Sequence, residues 1–217
     1  MLVRFFWRFG WMPIAGVLAG CSTVHEVTID AISDKTHPLG ASYHLEVNDP
    51  TGGVDAGLQA LAIATIKDAL AARGLYEVPP GVRPDMVIQA DYRIGHGHVK
   101  IVTERNMDVL IAGPTLPNPG SKAIVVYDKT LDLTAREPAP PSAPGSPPKT
   151  GSELWSVKTK IVDTKQEMAP YLPVLAAAAI DYIGENPGRE LLLPVDSATT
   201  RTLLEQRPAA PAGPAAK

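Results

Sequence analysis

The chain has 217 residues, with 20 Lys and Arg against 23 Asp and Glu, a net charge of −3 and one cysteine. Phosphate-tracking proteins need clustered Lys and Arg, and no basic block is present, so the expectation is no nucleic-acid partner and no polybasic membrane-surface patch. The lone cysteine rules out an internal disulfide, and many of the 22 prolines fall between Pro138 and Pro148 or between Pro208 and Pro214.

At the N-terminus, Arg4 and Arg8 are followed by an apolar run from Phe9 to Ala19 that closes on Leu18-Ala19-Gly20-Cys21. A basic start, a short apolar stretch and small residues at a cleavage point describe a secretory signal peptide. A spanning helix would need about 20 apolar residues. This run is broken by Arg8, Gly10, Pro13 and Gly16, and polar Ser22 and Thr23 follow it. The Leu-Ala-Gly-Cys motif resembles the lipobox of bacterial lipoproteins. That resemblance implies cleavage after Gly20, a diacylglycerol thioether on Cys21 and an acyl chain on its freed amine. Residues 1–20 are then a lipoprotein signal peptide and 21–26 a membrane tether. The lipid is the only group expected, with no separate cofactor. Ser22, by the sorting rule of enteric lipoproteins, implies the outer membrane, facing the periplasm.

Alternation marks the next elements. Val27 to Ile32 reads as a strand, and Ala41 to Asn48 as a half-buried one, with Ala41, Tyr43, Leu45 and Val47 on one face. Asp55 to Arg73 predicts a helix with Asp55 as cap, and Gly74 and Leu75 suit its stop. Met86 to Arg93 reads as a strand and Gly95 to His98 as a flexible turn. Val99 to Thr103 and Val109 to Ala112 are further strand candidates. Lys122 to Arg136 is a long strand whose apolar face is interrupted by Lys129, which suggests a bulge or an edge. Glu137 to Gly151 is low-complexity Pro, Ala and Ser that packs no core. Glu153 to Asp163 then completes a hairpin with an insertion, because loop closure costs grow only slowly with length. A second helix is predicted from Ala169 to Glu185, with Pro170 and Pro173 in its first turn. Leu191 to Val195 reads as a short strand or an extended segment.

With the signal, the Pro-rich insertion at 137–151 and the C-terminal segment 196–217 removed, about 160 residues remain, enough for one domain. The expected architecture is an α+β two-layer sandwich, a mainly antiparallel sheet with two long amphipathic helices. The domain spans 27–195 with a Pro-rich insertion at 137–151, and 196–217 forms a C-terminal segment with a Pro/Ala tail.

Four stretches carry a resemblance to a wider family: the lipobox, Ile66 to Leu75, Arg83-Pro84-Asp85-Met86-Val87-Ile88, and Glu153-Leu154-Trp155-Ser156. Together they resemble periplasmic lipoproteins defined by a domain of unknown function (the 4136-type domain). The family's Tyr-Xaa-Trp strand is absent near Tyr43. The resemblance implies a lipid-anchored, periplasm-facing domain and brings no catalytic residue.

Candidate chemistry is sparse. His96 and His98 are spaced to share one side of a strand, as metal ligands can be, with His44 as a third. They stand in a glycine-rich stretch, and no His-Glu-Xaa-Xaa-His or cysteine pattern accompanies them. Gly95-Xaa-Gly97 lacks the third glycine of a dinucleotide fingerprint, and no nucleophile elbow is present. Asp85, Asp91 and Glu104 form no inferable catalytic pair, and Asp85 reads as a turn or strand-entry residue. Trp155, Tyr171 and Tyr182 read as core. The expectation is therefore a non-enzymatic binding or scaffolding lipoprotein whose partner is another envelope protein or lipid. The alternative is a ligand-binding accessory of a transport system, with a groove between sheet and helices.

Overall fold

The structure is a computed structural model that describes residues 23–48, 55–103, 121–139, 151–196 and 200. Its elements are β1 (Val24–Ser33), β2 (Ser42–Asn48), α1 (Ala56–Ala72), β3 (Tyr76–Glu77), β4 (Met86–Ile94), β5 (His98–Thr103), β6 (Ser121–Arg136), β7 (Glu153–Asp163), α2 (Leu172–Ala179) and β8 (Leu191–Asp196). The expected signal peptide at residues 1–20, Cys21, Val109 to Ala112, most of the Pro-rich insertion and the tail lie outside the described residues.

The strands form one mixed sheet in the order β3-β2-β4-β6-β7-β1-β8, with β5 pairing to β6 off that path. β2 runs parallel to both β3 and β4, and α1 is the crossover that a parallel neighbour requires. The other pairs are antiparallel. β6 and β7 pair from Tyr127↔Asp163 to Arg136↔Glu153, so the expected hairpin forms across the insertion.

The expectation of two long amphipathic helices on a mainly antiparallel sheet is overturned: strands dominate, the sheet is mixed, and the second helix has only 8 residues. Two causes shorten it. Pro173 lacks an N–H and is tolerated only in a first turn, so the helix starts at Leu172. At its other end the chain tightens into a 3₁₀ turn, Ile180–Tyr182, and leaves through Gly184 at φ +75°. Nor is α2 amphipathic. Every residue but Pro173 is buried, and a helix apolar all round belongs inside a core.

α1 follows its sequence signals closely. The Asp55 carboxylate accepts from the Leu58 amide at 2.9 Å. At the other end Gly74 takes φ +88°, its N–H donates to Ala71, and the Leu75 N–H donates to the Leu70 carbonyl. These are the paired bonds of a left-handed stop, with Leu75 buried beneath it.

Strand alternation sends one face of the sheet toward both helices. Val27, Ile29, Met86, Ile88, Leu131, Leu133, Trp155 and Val157 meet Ile66, Leu70, Leu172 and Leu175 in a single core. Trp155 and Tyr171 are buried there and Tyr182 packs at its margin, as their sequence context suggests. Lys129 departs from expectation. It sits at no edge and in no bulge of its own strand, but centrally on the helix-facing side, fully buried. The bulge is in the partner. Ile94 pairs with Lys129 and His98 with Val126, so Gly95 to Gly97 stand opposite only Tyr127 and Asp128. The expected turn at Gly95 to His98 is therefore a bulge in one long strand.

Candidate binding surface

The face of the sheet away from the helices carries no second layer among the described residues. Antiparallel sheets tolerate this when the open side is polar, and here it is charged. Register aligns Asn48, Asp91, Asp132, Lys158 and Asp30 in one row across five strands. Arg93 and Lys160 border this row on one side, Gln89, Thr134 and Ser156 on the other.

Asp132 is its centre. Arg93 approaches it at 3.6 Å and Lys158 at 3.9 Å. Burial pushes its carboxyl above the usual range. Lys158 and Arg93 oppose that shift, and Asp91 beside it adds to it. Asn48 Nδ2 donates to Asp91 at 2.9 Å. Among the described residues, Asp132 Oδ1 and the neighbouring Thr130 hydroxyl are buried without a hydrogen-bond partner. Buried polar atoms left without a partner carry a desolvation cost. Asp30, Asp91, Asp132, Ser156 and Lys158 line a shallow trough of about 390 Å³ along this face.

The sequence-predicted site residues fall elsewhere. Leu18, Ala19, Gly20 and Cys21 lie outside the described residues. His96 and His98 are exposed at the bulge and the strand after it. His44 pairs with Val87 at the level of Arg136, whereas His98 pairs with Val126. That separation is about 33 Å along the strands, so the three cannot share a metal. Among the described residues no three His, Cys, Asp or Glu side chains converge. Asp85 does act at a strand start: its carboxylate accepts from the Ala41 and Ser42 amides at 3.0 and 2.9 Å.

A second constellation had no signal beyond the odd placement of Lys129. The Lys129 ammonium lies 4.3 Å from the centre of the Tyr171 ring and has no hydrogen-bond partner among the described residues. Burial lowers its pKa, while Asp163 and Asp128 pull the other way. Tyr171 is pushed up to about 12 by burial and by its hydrogen bond to Asp163. Burial also works to raise Asp163, but the Lys165 amide, the Tyr171 hydroxyl and Lys129 hold it below the usual range. His25 meets the Tyr171 ring edge-on at 5.5 Å. The cluster lies at the start of α2, where Tyr171 is the residue before Leu172.

No protein-family model and no curated protein matches the chain. Among solved structures it is similar to a PDZ domain protein from Parabacteroides distasonis ATCC 8503, at TM-score 0.41 and 11% identity over 80% of this chain and 39% of that one. The chain thus spans less than half of that protein's length. Two PelC dodecamer structures from Paraburkholderia phytofirmans align at TM-scores of 0.35 and 0.36, with 10% and 8% identity. They cover 73% and 74% of this chain and 98% and 99% of theirs.

Proposed function

We propose that this protein is a non-catalytic binding or scaffolding module of the bacterial envelope, held by lipid on Cys21 at the periplasmic side of the outer membrane. Its recognition surface is the open sheet face centred on Asp132 and Lys158. One observation carries the reading: the sheet spends its apolar face on a filled core and leaves a charged, partly unsatisfied row uncovered. The space in which a transport accessory would carry an apolar ligand is occupied by Ile66, Leu70, Met86, Ile88, Leu172 and Leu175. Recognition at the open face is polar, suited to a partner protein that presents donors to Asp132 and acceptors to Lys158.

In-cell crosslinking followed by mass spectrometry tests this. Wild type is expected to capture a dominant envelope protein, and the Asp132→Asn, Lys158→Glu double variant to lose it. An identical capture profile from the double variant would defeat the assignment of this face. The tether is tested separately by Cys21→Ser, which is expected to leave the membrane fraction. Full sedimentation of that variant with membranes rejects lipid anchoring.

A further inference from the structure

Beyond the bulge at Gly95 to Gly97, β5 and the first part of β6 pair, among the described residues, only with each other, as a two-stranded ribbon. Such a ribbon is marginally stable alone, yet one of its faces is apolar and open. Val99, Ile101 and Val125 are 66%, 71% and 51% exposed, and Val99↔Val125 and Ile101↔Ala123 are direct cross-strand pairs. Tyr127 stands at the base of this face, and its ring comes so close to Gly97 that an added Cβ would lie 2.9 Å from it. Lys100 and Lys122 occupy the opposite face by strand alternation. A contiguous exposed apolar patch marks a contact surface.

The start of β1 says what it contacts. Val27 and Lys129 both pair with Ile161 and share a row. β1 and β6 run in the same direction, so Val24 is level with Val126. From there to Ser121 the ribbon continues for about 17 Å beyond the level of Val24. Cys21 precedes Val24 by three residues, a reach of about 10 Å at most. Acyl chains on Cys21 would therefore be held within that reach of the start of β1, and the ribbon begins at the same level.

We infer that the β5–β6 ribbon is a lipid-contacting element that dips its Val99, Ile101 and Val125 face into the membrane interface beside the anchor. Tyr127 sits at the polar boundary, where its amphipathic ring is favoured, and Lys100 and Lys122 reach headgroup phosphates. This rests on the lipid-anchor reading. Its consequence is orientation: an acyl tether permits tumbling, whereas a tether plus a ribbon holds the domain in one pose.

The test uses lipidated protein in vesicles of phosphatidylethanolamine and phosphatidylglycerol with brominated acyl chains. After signal cleavage the only native tryptophan is Trp155, which is 2% exposed. Ile101→Trp is expected to give blue-shifted emission and strong bromine quenching, matching a depth of about 5–10 Å. Val82→Trp, near the β4 start at the far end of the sheet, is expected to stay at the solvent wavelength. Emission from Ile101→Trp that is quenched by iodide and not by bromine overturns the inference. Crosslinks joining Lys100 or Lys122 of two copies, without bromine quenching, assign the ribbon to a second copy and overturn it too. Mass spectrometry of Cys21 in the same sample separates the failures. Missing acyl chains defeat the anchor reading, and acyl chains with an unquenched indole defeat the ribbon alone.

Discussion

Lys129 sets the balance at the residue scale. A cation on the face of a desolvated Tyr gains about 2 kcal/mol, but burying an ammonium without hydrogen bonds costs several. The cost is the larger effect, so Lys129→Met is expected to raise stability by about 1 kcal/mol near neutral pH. The pH dependence has a fixed sign. With its pKa lowered from 10.5 in the folded chain, Lys129 binds fewer protons folded than unfolded between those two values. Wild-type stability therefore rises with pH through that window. The advantage of the variant should shrink as pH climbs toward 10.5, as read by thermal melts across pH. Asp85 is the opposite case. The Ser42 amide and hydroxyl and the Ala41 amide hold its carboxyl below the usual range, joining the starts of β2 and β4. Asp85→Ala should cost about 1 kcal/mol in urea unfolding, a charged hydrogen-bond value reduced for its exposure.

Among the elements, α1 shows how far local rules reach. Its cap and stop are both readable because each depends on residues within one or two turns. Asp55→Ala should cost about 1 kcal/mol through the lost cap. Gly74→Ala should cost about as much by forcing a side chain into the left-handed region. Circular dichroism melts check both. The second helix shows where those rules stop. Leu, Val and Ala at helical spacing describe a buried helix as well as an amphipathic one, and its length was set by Pro173 and by the tightening at Ile180. The Gly-His-Gly stretch looked like a turn because glycine marks both turns and bulges. Only pairing to β6 distinguishes them.

For the whole molecule, two faces of one sheet divide the work. The helix-side face supplies the core, and the open face carries the charged row proposed for recognition. That division predicts a stability–function trade-off. Burial raises Asp132 above 3.8, so the folded chain binds more protons than the unfolded one between 3.8 and the raised value. Stability falls as pH rises through that interval. Asp132→Asn should therefore be as stable as wild type or slightly more so near neutral pH, lose that advantage below 3.8, and capture less partner. A variant that unfolds, or that binds as wild type does, contradicts this reading of the row.

The strand alternation, the boundaries and caps of α1 and the burial of Trp155 and Tyr171 are legible in the sequence because each is encoded within a few residues, by period or by capping chemistry. The hairpin across the insertion is legible only from two strand patterns that follow one another along the chain. The resemblance of Leu18-Ala19-Gly20-Cys21 to a lipobox supplies the expectation of an anchor. Folding in three dimensions settled the parallel β2–β4 pairing, the central place of Lys129, the Asp91–Asp132–Lys158 row and the ribbon level with the start of β1. Those features join residues that no local period relates. They arise because sheet order and register, settled by which apolar faces bury together, carry every outward side chain along with them.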